Sequence, residues 1–64
     1  MGADATSTER ALALIAESST LLAAGRPEEA RGSLREAIEI AARTGAGSIE
    51  ERARRELIAA QPVK

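Results

Sequence analysis

The sequence predicts an all-α fold of three helices, an antiparallel helical hairpin plus one covering helix, and three observations predict it. Apolar residues recur at steps of three and four through most of the chain, the period of helices that bury one face. Gly25 and Gly45 fall where the periodic segments break, and a glycine just past the last periodic residue is the common left-handed stop of a helix. Directly after Gly25, Pro27-Glu28-Glu29 supplies the proline and the acidic residues that a first helical turn favours. A stop followed at once by a start implies two antiparallel helices joined by a loop of two or three residues.

In chain order, residues 1–6 are expected to be disordered. Thr6-x-x-Glu9 has the form of a capping box, with Ser7 as the competing N-cap, so the first helix is placed from Ser7 to Ala24. Its main stripe is Ala11, Leu14, Ile15, Ser18, Leu21 and Leu22, which falls within about a third of the circumference at about 100° per residue. A second ridge of Leu12, Ala16, Ser19 and Ala23 follows at steps of four, three and four, and Glu9, Arg10 and Glu17 are the charged residues of this helix. A helix that is apolar or small on nearly every side is normally buried on more than one side. The second ridge is therefore the first choice for a contact surface.

The second helix is placed from Pro27 to Arg43, closed by Gly45. Its core stripe is Ala30, Leu34, Ala37, Ile38 and Ala41, with Arg31, Arg35 and Glu39 on a flank towards solvent. Gly32, in mid-helix, costs about 1 kcal/mol relative to alanine. It is read as a glycine on an exposed face, with close approach of another helix as the alternative. Ile40 falls off the stripe, towards a third helix or a partner. Ser48-x-x-Glu51 forms the cleaner capping box and opens the third helix, which lasts to Ala60 before Pro62 stops it. Ile49, Ala53, Leu57 and Ala60 make its apolar seam and leave Ile58 outside. The pairs Glu50–Arg54, Glu51–Arg55 and Arg52–Glu56 all stand at i,i+4, so the Arg52, Arg54, Arg55 cluster reads as a salt-bridged solvated face rather than a phosphate-binding patch. Residues 7–61 thus form a single domain, with 62–64 as a tail.

Composition narrows the function. A chain of 64 residues with six Leu, five Ile, fifteen Ala and no aromatic residue lies near the lower limit at which one core sustains a fold. Dimerisation or docking on a larger protein is therefore expected. A net charge of −1 favours neither nucleic acid nor an anionic membrane as a partner. The absence of cysteine and histidine removes disulfide and thiol chemistry together with the commonest metal ligand and general base. There is no phosphate-binding loop motif, and the single lysine is Lys64. Asp4 and the nine glutamates fall at helix starts or opposite arginines, settings that favour the carboxylate over the protonated form a general acid needs. Ser18 and Ser19 have no base to activate them. The longest apolar run, Ala11 to Ala16, is too short to span a bilayer, and the first residues lack the basic start of a secretory signal. The expectation is a cytoplasmic, non-enzymatic protein with no cofactor, no metal and no small-molecule substrate.

From Leu14 to Ala42 the chain resembles one tetratricopeptide unit: Leu14, Ser18, Leu21, Gly25, Ala30, Leu34 and Ala37 stand at the spacing of that repeat's large, small, large, turn, small, large and small positions. It departs from the pattern at Glu17, where the repeat usually has Leu, and at Ala42, in place of the closing proline. The run Gly25-Arg26-x-Glu28-Glu29-Ala30-Arg31, with Leu34-Arg35-Glu36-Ala37, Arg43-Thr44-Gly45-Ala46 and Glu51-Arg52-Ala53-Arg54-Arg55-Glu56-Leu57, is similar to the last helical repeats ahead of the DNA-binding domain in large ATP-binding LuxR-type regulators of GC-rich bacteria. The resemblance implies a repeat-type scaffold that stacks on neighbours or binds a peptide. A helix-turn-helix does not follow within these residues, so neither DNA binding nor ATP hydrolysis is carried over. Three readings result. The first is a docking module that meets another protein through Leu12, Ala16, Ser19 and Ala23, with Ile40 and Ile58. The second is a homodimeric structural unit in which the same ridge meets its copy. The third is an accessory to a transcriptional regulator, touching nucleic acid through the third helix.

Overall fold

Both chain reversals turn on a glycine, Gly25 at φ 80° and Gly45 at φ 78°, in the left-handed region that a residue with a Cβ enters only at a cost. The structure, a computed structural model, describes residues 5–61 and is built of three helices, α1 (Ala5–Ala23), α2 (Pro27–Thr44) and α3 (Gly47–Ala60). At the first corner the Arg26 N–H donates to the Leu21 carbonyl at 2.8 Å and the Gly25 N–H to the Leu22 carbonyl at 3.1 Å, the paired closure of a Schellman end. At the second corner the Ala46 N–H reaches the Ala41 carbonyl at 2.9 Å, and the Gly45 N–H shares that acceptor. Such short connections make each helix antiparallel to the next. The all-α, three-helix architecture is the one the sequence predicts.

Helix starts differ from expectation. The helix α1 begins at Ala5, so Thr6 lies in the helix rather than in a disordered tail, and neither Thr6 nor Ser7 is its N-cap. Alanine is the best helix former, and it lets the helix extend past the predicted box. Residues 1–4 and 62–64, predicted to be tails, lie outside the described residues. Ser48 likewise caps nothing. The N-cap of α3 is Ala46, without a side-chain hydrogen bond, because the Gly47 N–H donates to the Gly45 carbonyl at 3.0 Å and the Glu50 N–H to the Ala46 carbonyl at 2.9 Å. Those bonds start the helix one residue before Ser48. By contrast, Pro27 opens α2 with Glu28 and Glu29 in its first turn, as its sequence predicts.

The core is built mostly of alanine. Ala11, Ile15, Ala30, Leu34, Ala37, Ala41, Ala53 and Ala60 are its buried apolar residues, and Leu34 has no exposed surface. Leu14, Ile38, Ile40, Ile49 and Leu57 pack half-buried around it. Ser18 is fully buried and donates its hydroxyl to the Ile15 carbonyl at 2.6 Å, so the one polar side chain in the core is satisfied locally. Leu22, assigned to the core stripe, is instead 36% exposed. It stands next to the corner, and α2 buries nothing before Ala30, so no side chain reaches back to cover it. Arg31, expected on a solvent flank, is half-buried and donates from Nη1 to the Ala60 carbonyl at 3.0 Å. It thereby ties α2 to the C-terminal end of α3, where a cation is favoured.

Gly32 has nothing near the position a Cβ would occupy, so the exposed-face reading holds and no helix approaches it closely. Gly32 and Gly25 should therefore respond oppositely to alanine. Gly32→Ala should stabilise by about 1 kcal/mol through helix propensity, whereas Gly25→Ala should destabilise by about 1–2 kcal/mol through its positive φ, although space is open at both. Thermal unfolding followed by circular dichroism should show shifts of roughly 4–8 °C per kcal/mol in opposite directions; the same sign for both would refute the assignment. Leu34→Ala should cost about 2–5 kcal/mol, enough to remove most of the helical signal of so small a domain at 25 °C.

Candidate interaction surface

On α1 the spacing that buries Ala11, Ile15 and Ser18 carries Leu12, Ala16, Ser19 and Ala23 together onto a neighbouring flank, within about 60° of one another at 3.6 residues per turn. All four are exposed, Leu12 at 41%. The ridge is therefore a continuous strip with one large apolar side chain and three small ones. Leu22 is a second exposed leucine near the C-terminal end of α1, but at about 80° from Leu12 and about 100° from Ala23 it lies on the stripe of Ala11 and Ile15, beside the ridge rather than on it. Sequence periodicity missed it because Leu22 shares the core stripe. The signal that could have found it is its place three residues from Gly25, ahead of an α2 first turn made of Pro27, Glu28 and Glu29.

Ile40 and Ile58 do not join this strip. Ile40 is half-buried against the core and lines an open groove of about 290 Å³ with Ser7 and Arg10 of α1 and Glu36, Arg43 and Thr44 of α2. It thus faces α1 and not the third helix. The groove is crossed by Arg10–Glu36 at 3.5 Å, and Arg43 pairs with Glu39 at 3.5 Å. Arg10 and Leu12 are two residues apart, about 160° around the helix, so the groove and the ridge occupy opposite flanks of α1. Ile58 is 71% exposed and lies about 140° from Ala53 and the seam of α3. The six residues singled out from sequence therefore fall on three separate faces, and the four on α1 are the ones brought together.

The arginines of α3 are largely committed within their own helix. Arg54 donates from Nε and Nη2 to Glu50 Oε2 at 3.1 and 2.7 Å, and Arg55 donates from Nη2 to Glu51 Oε2 at 3.3 Å. The predicted Arg52–Glu56 pair is not formed. Arg52 is exposed and Glu56 half-buried, and the two line one open groove with Arg55 and Ala59 without closing to an ion pair. Exposed pairs of this kind add little stability, but they neutralise the charge of the helix surface. Among the described residues no group of His, Cys, Asp and Glu could hold a metal ion, and no helix is long and apolar enough to cross a membrane.

No protein-family model matches the chain, and neither a curated protein nor a solved structure matches it.

Proposed function

We propose that this chain is a small non-enzymatic docking module that meets another protein through the Leu12, Ala16, Ser19 and Ala23 ridge of α1. The observation that carries the reading is an exposed leucine, Leu12, set on a continuous strip of exposed small residues on one helix face. Small side chains let a partner helix approach the backbone closely, and Leu12 offers an anchor that a pocket on the partner can desolvate. The tetratricopeptide-like spacing of Leu14, Ser18, Leu21, Gly25, Ala30, Leu34 and Ala37 supports the same reading. At least three such repeats are normally needed for independent stability, so a lone unit gains from stacking on a neighbour. Self-association is the second reading, favoured by the same small residues, which suit the close crossing of two identical helices about a two-fold axis.

Light scattering on a sizing column over a hundredfold dilution, with helix content measured in parallel, separates the two readings. A helical monomer throughout leaves the ridge open for another protein; a dimer whose helicity falls on dilution closes it with a copy. For either partner, Leu12→Glu should weaken binding by roughly thirtyfold, the equivalent of about 2 kcal/mol for an interface anchor. Ala16→Arg should do the same while leaving the circular dichroism spectrum unchanged. Association that survives both substitutions would mean that a different face is used.

A further inference from the structure

The helix α3 is the shortest of the three, and its packing rests almost wholly on α2. Seven buried residues lie on α1 and α2, namely Ala11, Ile15, Ser18, Ala30, Leu34, Ala37 and Ala41, whereas α3 contributes Ala53 and Ala60. Its larger apolar side chains, Ile49 and Leu57, are half-buried, and Ile58 faces water. The helix leans on α2 and scarcely meets α1. Local stability follows buried apolar contact, so α3 is the element with least to lose on detaching. Part of its helical stability is internal, through the Glu50–Arg54 and Glu51–Arg55 pairs.

The two ends of α3 are unlike. At the start, Gly45 and Ala46 connect α2 to α3, and Gly47 opens α3. The Ala46 N–H bond to the Ala41 carbonyl at 2.9 Å sets the closed direction; once it releases, the two glycines leave the backbone wide conformational freedom. At the far end, Arg31 of α2 reaches across to the Ala60 carbonyl at 3.0 Å. A charge-assisted bond to a helix C-terminus is among the stronger single contacts a surface can make. Ile38 lies seven residues from Arg31, about two turns along the same flank of α2, and is half-buried there.

We propose that α3 opens from the α1–α2 hairpin as a unit, pivoting at Gly45–Gly47, with the Arg31–Ala60 contact as the latch that holds it closed. Opening uncovers the Arg31–Ile38 flank of α2, where Ile38 lies on the same side as the Arg31 guanidinium stem, a surface separate from the α1 ridge. The proposal does not depend on what meets that ridge.

Residue-resolved amide hydrogen exchange on the intact chain at low denaturant tests it. The amides of Ala53 to Leu57 should exchange at least about tenfold faster than those of Leu34 to Ala41, with a shallower dependence on denaturant, as for a partial opening. Arg31→Met keeps the aliphatic stem and removes the donors; it should speed exchange in α3 by about another tenfold and leave α2 unchanged. Equal rates and equal denaturant slopes in the two helices of the unsubstituted protein would overturn the opening. Equal acceleration of both helices by Arg31→Met, or loss of the fold, would overturn the latch, while the unsubstituted protein would still decide the opening.

Discussion

Leu34 stands where the three helices meet, and the rest of the structure depends on its burial. It is the largest fully buried side chain of the core and belongs to one cluster with Ala11, Ile15, Ala37, Ala53 and Ala60, drawn from all three helices. An alanine surface offers little hydrophobic area, but it lets helix backbones come close, and close packing recovers dispersion energy over many atom pairs. One large side chain set among small ones therefore does what several leucines and aromatics do in a larger domain. The arrangement limits size as well. A core with one fully buried leucine cannot cover both flanks of a helix, and α1 is left with Leu12 partly exposed on its second flank.

The corners make that packing possible. Left-handed glycines at 25 and 45, each followed by a backbone bond back into the preceding helix, reverse the chain within two or three residues. Neither Arg26 nor Ala46 supplies a side-chain cap to the helix it starts. Reversals this short fix helix direction by geometry rather than by capping energy, and they explain why serine and threonine boxes are not needed here. The strongest signal of a start, proline followed by glutamates, is the one used at α2.

The surfaces divide along the same lines. The α1 ridge is small and apolar, the groove beside Ile40 is crossed by ion pairs, and the outer face of α3 is salt-bridged around an exposed isoleucine. A partner drawn to apolar surface meets its longest uncharged strip on α1. The α3 side differs in kind, because that helix rests almost wholly on α2 and its C-terminal end is held by Arg31.

What the sequence determined by itself is the periodic part of the protein: three helices, their order, both glycine corners, the buried faces of α1 and α2, and the grouping of Leu12, Ala16, Ser19 and Ala23. Each follows from spacing along one helix or from the φ a glycine permits, and both are local properties. Tertiary structure alone decided the rest. Leu22 has core spacing but no side chain opposite it, Arg31 has solvent spacing but a carbonyl of α3 within reach, and Ile40 lies off the stripe yet is shielded by α1. In each case the outcome depends on where a second helix begins, ends or crosses. That is set by packing between elements, which one helix's periodicity does not encode.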